Sequence, residues 1–145
     1  MNRTDEVGHS LRKRGFRVTP QRELILAAMR AGDGHCTAEE VYAHVAVLAP
    51  SLSRATVYRT LEFLVREHLV TSADLGEGRR VFELVTAEVH HHLVCTRCKS
   101  VQQIGHALIA EMFATVEREH GFAISTDHLA LFGLCGRCRS AESLS

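Results

Sequence analysis

Long apolar runs, net charge and linker-like sequence are all missing from this 145-residue chain. No apolar stretch approaches the roughly 18 residues that a membrane-spanning helix needs, and residues 1–6 lack the apolar core of a signal peptide. We therefore expect a cytoplasmic protein with no membrane partner. Internal repeats, low-complexity tracts and Ser/Gly linkers are also lacking, and the length suits one ordinary domain or two small ones.

The absence of net charge hides an uneven distribution of charge. A formal charge of zero at pH 7 argues, taken alone, against a nucleic-acid partner. However, residues 1–22 contain six Lys and Arg against two acidic residues, whereas residues 81–145 contain five basic and seven acidic residues. A local basic patch can contact phosphates while the whole chain stays neutral. A solvated helix face is the alternative explanation of the same cluster.

The first half of the chain has the pattern of a winged helix-turn-helix. Helix-start signals precede three amphipathic segments: Thr19-Pro20, the capping box Thr37-Ala38-Glu39-Glu40, and Ser53. The last of these helices is predicted to run to about His68. Two short runs, 69–75 and 79–85, follow it, and the glycines between them supply the turn of a hairpin.

The sequence pattern of the second half differs from that of the first half and predicts a small α/β domain. Its predicted elements are strands at Leu93–Cys95, at Val101–Ile104 and within Phe122–Phe132, and an amphipathic helix at Leu108–His120 that ends at Gly121. We place the first domain at residues 1–84, a hinge at 85–89 and the second domain at 90–145.

Four of the five cysteines form two CxxC pairs about 36 residues apart, Cys95/Cys98 and Cys135/Cys138. Two residues between thiolates allow both sulfurs to bind one tetrahedral Zn²⁺ ion, and a closed shell of four thiolates is typical of a structural site. A redox pair or unrelated buried thiols are the alternatives, but a redox motif needs only one CxxC. Cys36 is interpreted as a buried small apolar residue.

A second set of potential ligands lies just before the first CxxC. His90 and His92 have the period-2 spacing that puts both side chains on one face of an extended segment. Together with Glu83 they offer nitrogen and oxygen ligands that suit a divalent transition metal, although three adjacent histidines could also form a solvated loop. No Ser or Cys nucleophile or additional general base nearby suggests catalysis, and the zinc-deaminase signature is absent.

The motifs together resemble the ferric uptake regulator family. The resemblance rests on segments in the same order and register from about residue 11 to 138: Arg14-Gly15-Phe16-Arg17-Val18-Thr19-Pro20-Gln21-Arg22, Ala55-Thr56-Val57-Tyr58-Arg59-Thr60-Leu61, Phe82-Glu83-Leu84, His90-His91-His92-Leu93-Val94-Cys95 and the second CxxC. It implies an α+β homodimer, with an N-terminal winged helix-turn-helix DNA-binding domain followed by a small α/β dimerisation domain that contains the four-cysteine zinc site.

The resemblance also implies a DNA interface with a palindromic, A/T-rich double-stranded operator. The recognition helix would be Ser53–His68, with Ser53 and Thr56 near its start. Tyr58 would contact bases, and Arg59 would hold a phosphate. Arg17 corresponds to a residue that reaches the minor groove, and Arg22 to a DNA-backbone contact.

A regulatory metal between the domains is implied as well, with four ligands: His35, Glu83, His90 and His92. Members of the family often have a carboxylate as a fifth ligand, and the residue at the corresponding position here is Gln103. The positions of a further metal site in some relatives correspond to Val89, Ala110 and Asp127, which are poor matches. The neighbouring candidates for such an additional site are His91, Gln103, Glu111 and His128, and we expect the site to be absent or altered because a one-residue slip turns a side chain away.

The sequence therefore predicts a metal-dependent transcriptional repressor of metal uptake or homeostasis genes, not an enzyme. Three histidines and a glutamate suit Fe²⁺, which we favour, or Mn²⁺, and they would also hold Zn²⁺. A manganese-, zinc- or peroxide-responsive regulator of the same family is the alternative. From other classes, a zinc-ribbon metalloenzyme and a metal-binding adaptor protein stay open.

Overall fold

The computed structural model describes residues 3–32, 35–85, 89–125 and 129–144. Two compact units make up the chain, an N-terminal unit over Met1–Val85 and a C-terminal unit over Thr86–Ser145. The predicted hinge therefore lies largely outside the described residues, as does the candidate ligand His128. No helix in these ranges is both long enough and apolar enough to cross a bilayer.

The N-terminal unit consists of four helices followed by a two-stranded sheet. Its elements are α1 (Arg3–Lys13), α2 (Pro20–Ala31), α3 (Ala38–Leu48), α4 (Arg54–Arg66), β1 (Val70–Asp74) and β2 (Arg80–Leu84). The predicted helix starts are confirmed by their caps. The hydroxyls of Thr19 and Ser53 each accept a hydrogen bond from a backbone N–H three residues later, and Thr37 forms the full capping box with Glu40.

A single apolar core holds the N-terminal unit together and fixes the orientation of α4. The buried side chains of α4 are Val57, Leu61 and Leu64, none of which has any exposed surface. They pack with residues of α1, α2, α3 and β2, among them the fully buried Leu11 and Ile25. Because one face of α4 is committed to this core, its opposite face is presented to solvent.

The hairpin after α4 matches the prediction from its glycines. Strands β1 and β2 are antiparallel, with Val70 opposite Leu84. Gly76 and Gly78 have φ values of 90° and 74°, a conformation that glycine adopts without a Cβ clash. The turn is closed by a 2.8 Å hydrogen bond from the Leu75 N–H to the Arg79 carbonyl.

The C-terminal unit is built on a three-stranded sheet in the order β4-β3-β5. Its elements are β3 (His90–Cys95), β4 (Val101–Gly105), a short 3-10 helix (His106–Leu108), α5 (Ala110–His120), β5 (Ala130–Gly133) and α6 (Gly136–Glu142). Strand β3 is central, antiparallel to β4 and parallel to β5. Helix α5 ends at Gly121, which has a left-handed φ of 61°.

Two features of this unit differ from the sequence-based expectation. Strand β3 begins three residues earlier than predicted, because all three histidines pair with β4 and His92 also pairs with β5. Helix α6, which carries the end of the second CxxC, was not predicted. Few apolar side chains are buried in the described part of this unit, and they are Val94, Cys95, Ile109 and Cys138.

Candidate metal centres and nucleic-acid interface

The four paired cysteines converge on one point in the C-terminal unit. Their sulfur atoms all lie within 4.8 Å of one another. Cys98 Sγ and Cys135 Sγ are 3.8 Å apart, which is close to the separation of about 3.8 Å that two ligands at about 2.3 Å from a tetrahedral zinc would have. The geometry and the donor chemistry therefore fit one closed four-thiolate site.

Hydrogen bonds and burial make these four thiols unequal. Ser100 Oγ lies 3.1 Å from Cys98 Sγ, and the bonds from Ser100 lower the pKa of Cys98 to about 5. The backbone N–H of Cys135 donates to Cys95 Sγ and lowers the pKa of that thiol, whereas burial raises the pKa of Cys138. Cys98 is exposed, and its lowered pKa favours the thiolate, which is the form that binds a cation.

The two knuckles are positioned by different elements. Cys95 ends β3, and the turn that carries Cys98 is closed by Lys99 in a left-handed conformation. Cys135, in contrast, follows β5 after one residue and is the residue before α6, in which Cys138 is buried. The first pair thus begins at the end of a strand, whereas the second lies at the start of a helix. An ion here would join the central strand of the sheet to α6.

In the N-terminal unit, His35 and Glu83 form a close pair. The backbones of Cys36 and Phe82 exchange two hydrogen bonds of 3.1 and 2.7 Å, an isolated antiparallel bridge. The residues beside this bridge are therefore also opposite one another, and His35 Nε2 lies 3.1 Å from Glu83 Oε2. The Glu83 side chain is largely buried. A neutral imidazole and a carboxylate at this distance are suited to bind one cation together.

In the C-terminal unit, His90 and His92 lie on one face of β3, as the period-2 spacing predicts. Their ring centroids are 5.4 Å apart and nearly perpendicular. His92 is completely buried and His90 is partly exposed. The structure thus presents the predicted regulatory ligands as two pairs, one within each unit.

The predicted recognition helix is α4, and its solvent-facing side carries the predicted DNA contacts. The Tyr58 side chain is 44% exposed, and Arg59 is exposed beside it. At the start of the helix the Ser53 and Thr56 hydroxyls are 3.0 Å apart, and Thr56 in turn accepts a bond from Arg59. These side chains offer an aromatic ring, hydroxyls and a cation on one accessible helix surface.

The two N-terminal arginines have different surroundings. Arg17 is exposed and lies in the loop that joins α1 to α2. Arg22 is half-buried in the first turn of α2, where its guanidinium lies 4.2 Å from the centroid of the Phe63 ring and donates to the Arg17 carbonyl oxygen.

Comparison with known proteins gives the family. The model of the ferric uptake regulator family matches residues 13–132. The chain belongs to the ferric uptake regulator family. It is similar to the ferric uptake regulation protein of Bacillus subtilis, with 34% identity over 146 residues that cover 98% of both chains.

Other members of the family are also similar over most of the chain. The peroxide operon regulator of Bacillus subtilis is 29% identical, and the match covers 95% of this chain and 94% of that protein. The solved structure of the ferric uptake regulator of Pseudomonas aeruginosa with manganese is 31% identical, with a TM-score of 0.71 over 89% of this chain and 97% of that one. The relatives thus include proteins named as ferric uptake regulators and a protein named as a peroxide regulator.

The candidate ligands for an additional family site have other contacts. His91 is completely buried on the face of β3 opposite His90 and His92, where its Nδ1 accepts from the Leu129 N–H and its Nε2 lies 2.9 Å from His106 Nδ1. Gln103 lies opposite His92 in the β3–β4 ladder, and Glu111 is exposed in the first turn of α5. Among the described residues, neither His91 nor Glu111 belongs to a group of three potential ligands.

Two residues near the centres of this family member were missed by sequence reasoning. Arg137 lies between the cysteines of the second pair, and its hydrogen bond to Cys98 raises the pKa of the guanidinium. A cation inside a CxxC was a readable signal, since four thiolates and one Zn²⁺ leave excess negative charge. His106 stands alone in the sequence, and nothing there indicated its bond to His91.

Proposed function

We propose that this chain is a metal-dependent, DNA-binding transcriptional repressor that controls metal uptake or homeostasis genes, with iron as the regulatory ion. The observation that carries the proposal is that a protein of this family has two donor sets of different chemistry. One is a closed group of four thiols, and the other consists of a His–Glu pair and a His–His pair. A closed thiolate shell suits a permanent ion, whereas imidazole and carboxylate suit an exchangeable one.

Cys95, Cys98, Cys135 and Cys138 would hold one structural Zn²⁺ ion per chain. The separation of the sulfurs and the cation Arg137 beside them support this assignment. Four thiolates leave no open coordination position for a substrate. The ion would therefore act on stability, by joining β3 to α6, and would not respond to the cellular metal supply.

His35, Glu83, His90 and His92 would hold the regulatory metal. Each pair is preorganised within its unit, the first by the Cys36–Phe82 bridge and the second by the strand period of β3. A metal that needs both pairs favours the arrangement of the two units in which all four ligands meet. Similarity to the Bacillus subtilis ferric uptake regulation protein supports Fe²⁺, while Mn²⁺ and Zn²⁺ fit the same donors.

The exposed side of α4 would enter the major groove of a palindromic, A/T-rich operator. The buried face of α4 fixes the helix on the core, so Tyr58 and Arg59 are held on the outer surface. Tyr58 would pack against bases and Arg59 would contact phosphate, with Ser53 and Thr56 at the start of the same helix. Arg17 would extend this interface from the preceding loop, and Arg22 at the start of α2 lies directly beside it.

A second copy of the chain would pair along β5. In the part of the chain that the structure describes, β5 is an edge strand, and its outer backbone groups face no other strand. Leu131, Phe132 and Leu134 at this edge are 39%, 53% and 37% exposed, and a cavity of about 300 Å³ lies against them. An apolar edge of this kind is suited to burial in a homodimer, which would also match the two halves of a palindrome.

The test is retardation of an A/T-rich palindromic duplex by the purified dimer at buffered free Fe²⁺, Mn²⁺ and Zn²⁺, at one fixed salt concentration. Wild type should bind only above a threshold of free metal. His90→Ala should raise that threshold, because it removes a regulatory ligand but no thiolate. His120→Ala, which removes an exposed histidine at the end of α5, is the matched control and should bind as wild type does.

Two outcomes would contradict parts of the proposal. Unchanged metal dependence in His90→Ala would refute the regulatory site. Binding that survives Tyr58→Ala and Arg59→Ala would refute the role of α4, and no binding at any metal concentration would favour the adaptor alternative. The metalloenzyme alternative predicts an open coordination position, so it is tested by asking whether added azide changes the spectrum of the Co²⁺-loaded protein.

A further inference from the structure

The loop 14–18 between α1 and α2 is fixed at several points although it is on the surface. It carries Arg17, whose side chain is exposed. Arg17 makes no ion pair with any residue that the structure describes. A side chain of this kind is available to a ligand, but its position depends on what holds the backbone beneath it.

Arg22 holds that backbone from α2. Its Nη1 donates to the carbonyl oxygen of Arg17 over 2.5 Å. Its guanidinium carbon lies 4.2 Å from the centroid of the Phe63 ring, within cation–π range. The Arg22 side chain is half-buried, and its guanidinium joins the loop to α4 through these two contacts.

Two further contacts tie the same loop to the C-terminal half of α4. The Arg14 guanidinium donates to the carbonyl of Glu67, the C-cap residue of α4, and lies 3.8 Å from the Glu67 carboxylate. The Phe16 ring packs edge-on against Phe63, with centroids 5.1 Å apart and an interplanar angle of 81°. Phe63 is therefore contacted by the loop and by Arg22 at the same time.

We propose that Arg22 is a positioning residue that acts on DNA binding through Arg17, and that Phe63 is the platform for it. The inference rests on the proposed DNA-binding function, and it replaces the role of Arg22 as a direct phosphate contact. Arg22 and Phe63 fix the loop relative to the recognition helix. Arg17 and the exposed face of α4 are then presented to the duplex as one rigid surface.

The physical benefit is lower ordering entropy on binding. A loop that is already held in its bound conformation loses less freedom when it meets DNA. Lysine cannot replace arginine in this role, because its point charge lacks the planar group that stacks on Phe63 while it donates to a carbonyl. A direct phosphate contact would have the opposite pattern, since lysine keeps the charge that phosphate attracts.

The test uses conservative variants in full-length, metal-loaded protein with the same operator-like palindrome and fixed salt. R22K and F63L should each weaken binding about tenfold, the scale of one lost groove contact. Neither variant removes a charge, so the salt dependence of binding should be retained. R66K is the matched control: Arg66 also faces the Phe63 ring, at 5.9 Å, but forms no bond to the loop, and it should bind as wild type does.

A double-mutant cycle tests whether Arg22 acts through Arg17. In an R17A background, R22K should cause less than a twofold further loss, because the side chain that Arg22 positions is gone. In the DNA-free protein, hydrogen exchange of the Phe16 amide, which donates to the Leu11 carbonyl, should accelerate in R22K and F63L and not in R66K.

The outcomes separate the two levels of the inference. If R22K and F63L bind DNA as tightly as wild type does, or if the losses in the double-mutant cycle are additive, the positioning role is overturned. The DNA-binding function is then left intact. Failure of wild type to bind any metal-supplemented duplex overturns the proposed function and the role of Arg22 in it. The exchange measurement would then still report whether Arg22 fixes the loop.

Discussion

Removal of one zinc thiolate should unfold the C-terminal unit and leave the N-terminal unit folded. Cys95→Ser is the informative change, because Cys95 ends the central strand and is itself buried. Apart from the cysteines, the apolar side chains buried in the described part of this unit are only Val94 and Ile109. The main core of 18 buried residues lies entirely in the N-terminal unit.

The magnitude follows from comparing the metal with the domain it holds. Structural zinc contributes about 10–16 kcal/mol in small zinc-binding peptides, whereas a whole domain is stable by about 5–15 kcal/mol. A unit with so few buried apolar residues should lie at the low end of that range. Loss of one ligand removes most of the zinc affinity. The zinc-binding free energy that is lost is therefore expected to exceed the free energy of unfolding that the unit has without zinc.

Hydrogen exchange by mass spectrometry measures the two units separately. In Cys95→Ser, peptides of β3, β4 and α6 should exchange as an unfolded chain does, while those of α2 and α4 keep wild-type protection. Cys36→Ala removes the one thiol outside the cluster and is the control, with wild-type zinc content and a protected C-terminal unit. Protected β3 and α6 peptides in zinc-free Cys95→Ser would refute the reasoning.

Three further predictions concern the core, the edge strand and the remaining thiol. Leu61→Ala, at a site with no exposed surface, should cost the N-terminal unit about 2–5 kcal/mol of unfolding free energy in urea titration; a loss below about 1 kcal/mol would contradict the packing. Phe132→Asp should shift sedimentation toward the monomer if β5 is the dimer edge, whereas a persistent dimer would place the interface elsewhere. Burial raises the pKa of Cys36 to about 11, so at pH 8 its thiolate fraction is about a hundredfold below that of a thiol with the ordinary pKa near 9. Native iodoacetamide labelling of Cys36 should therefore be negligible, and rapid labelling would show that the site opens.

The parts of the fold that could be read from the sequence are those that local chemistry determines. Thr19, Thr37 and Ser53 cap helices because a hydroxyl must satisfy a free N–H at each helix start, wherever the helix packs. The Gly76-Glu77-Gly78 turn needs positive φ values, and the two glycines indicate such a turn in the sequence. The CxxC pairs likewise carry their chemistry in their spacing, and the four sulfurs do converge.

The parts that could not be read depend on partners far away in the chain. The spacing of the histidine triplet indicates an extended segment but not that it belongs to β3, which follows from its pairing with β4 along all three histidines and with β5 at His92. Helix α6 is only seven residues long, too short for a periodic pattern, and it is anchored by Cys138 and by the bonds from Arg97 to the Cys138 carbonyl and the Glu142 carboxylate. The bond from His91 to His106 joins residues 15 positions apart.

Arg22 shows why a family resemblance and a structure can assign different roles to one side chain. The resemblance places a cation near DNA, and charge alone makes a phosphate contact the simplest role. The structure adds the orientation of that cation, with Phe63 on one side and the Arg17 carbonyl on the other. A group with those partners joins the loop that carries Arg17 to α4, and this link is the basis of the positioning role proposed for Arg22.

The proposed metal response also has a physical limit that the ligand chemistry sets. A permanent zinc binds equally in the DNA-competent and incompetent arrangements, and an ion without differential affinity cannot shift a population. Only a metal that needs both the His35–Glu83 pair and the His90–His92 pair can do so, because each pair belongs to a different unit. Moving the population from 1:99 to 99:1 takes a preference of about 10⁴ for the bound arrangement. The position of a carboxylate that often serves as a fifth ligand in the family is taken here by Gln103, whose amide oxygen is a weaker ligand, so we expect the response to need a higher free metal concentration.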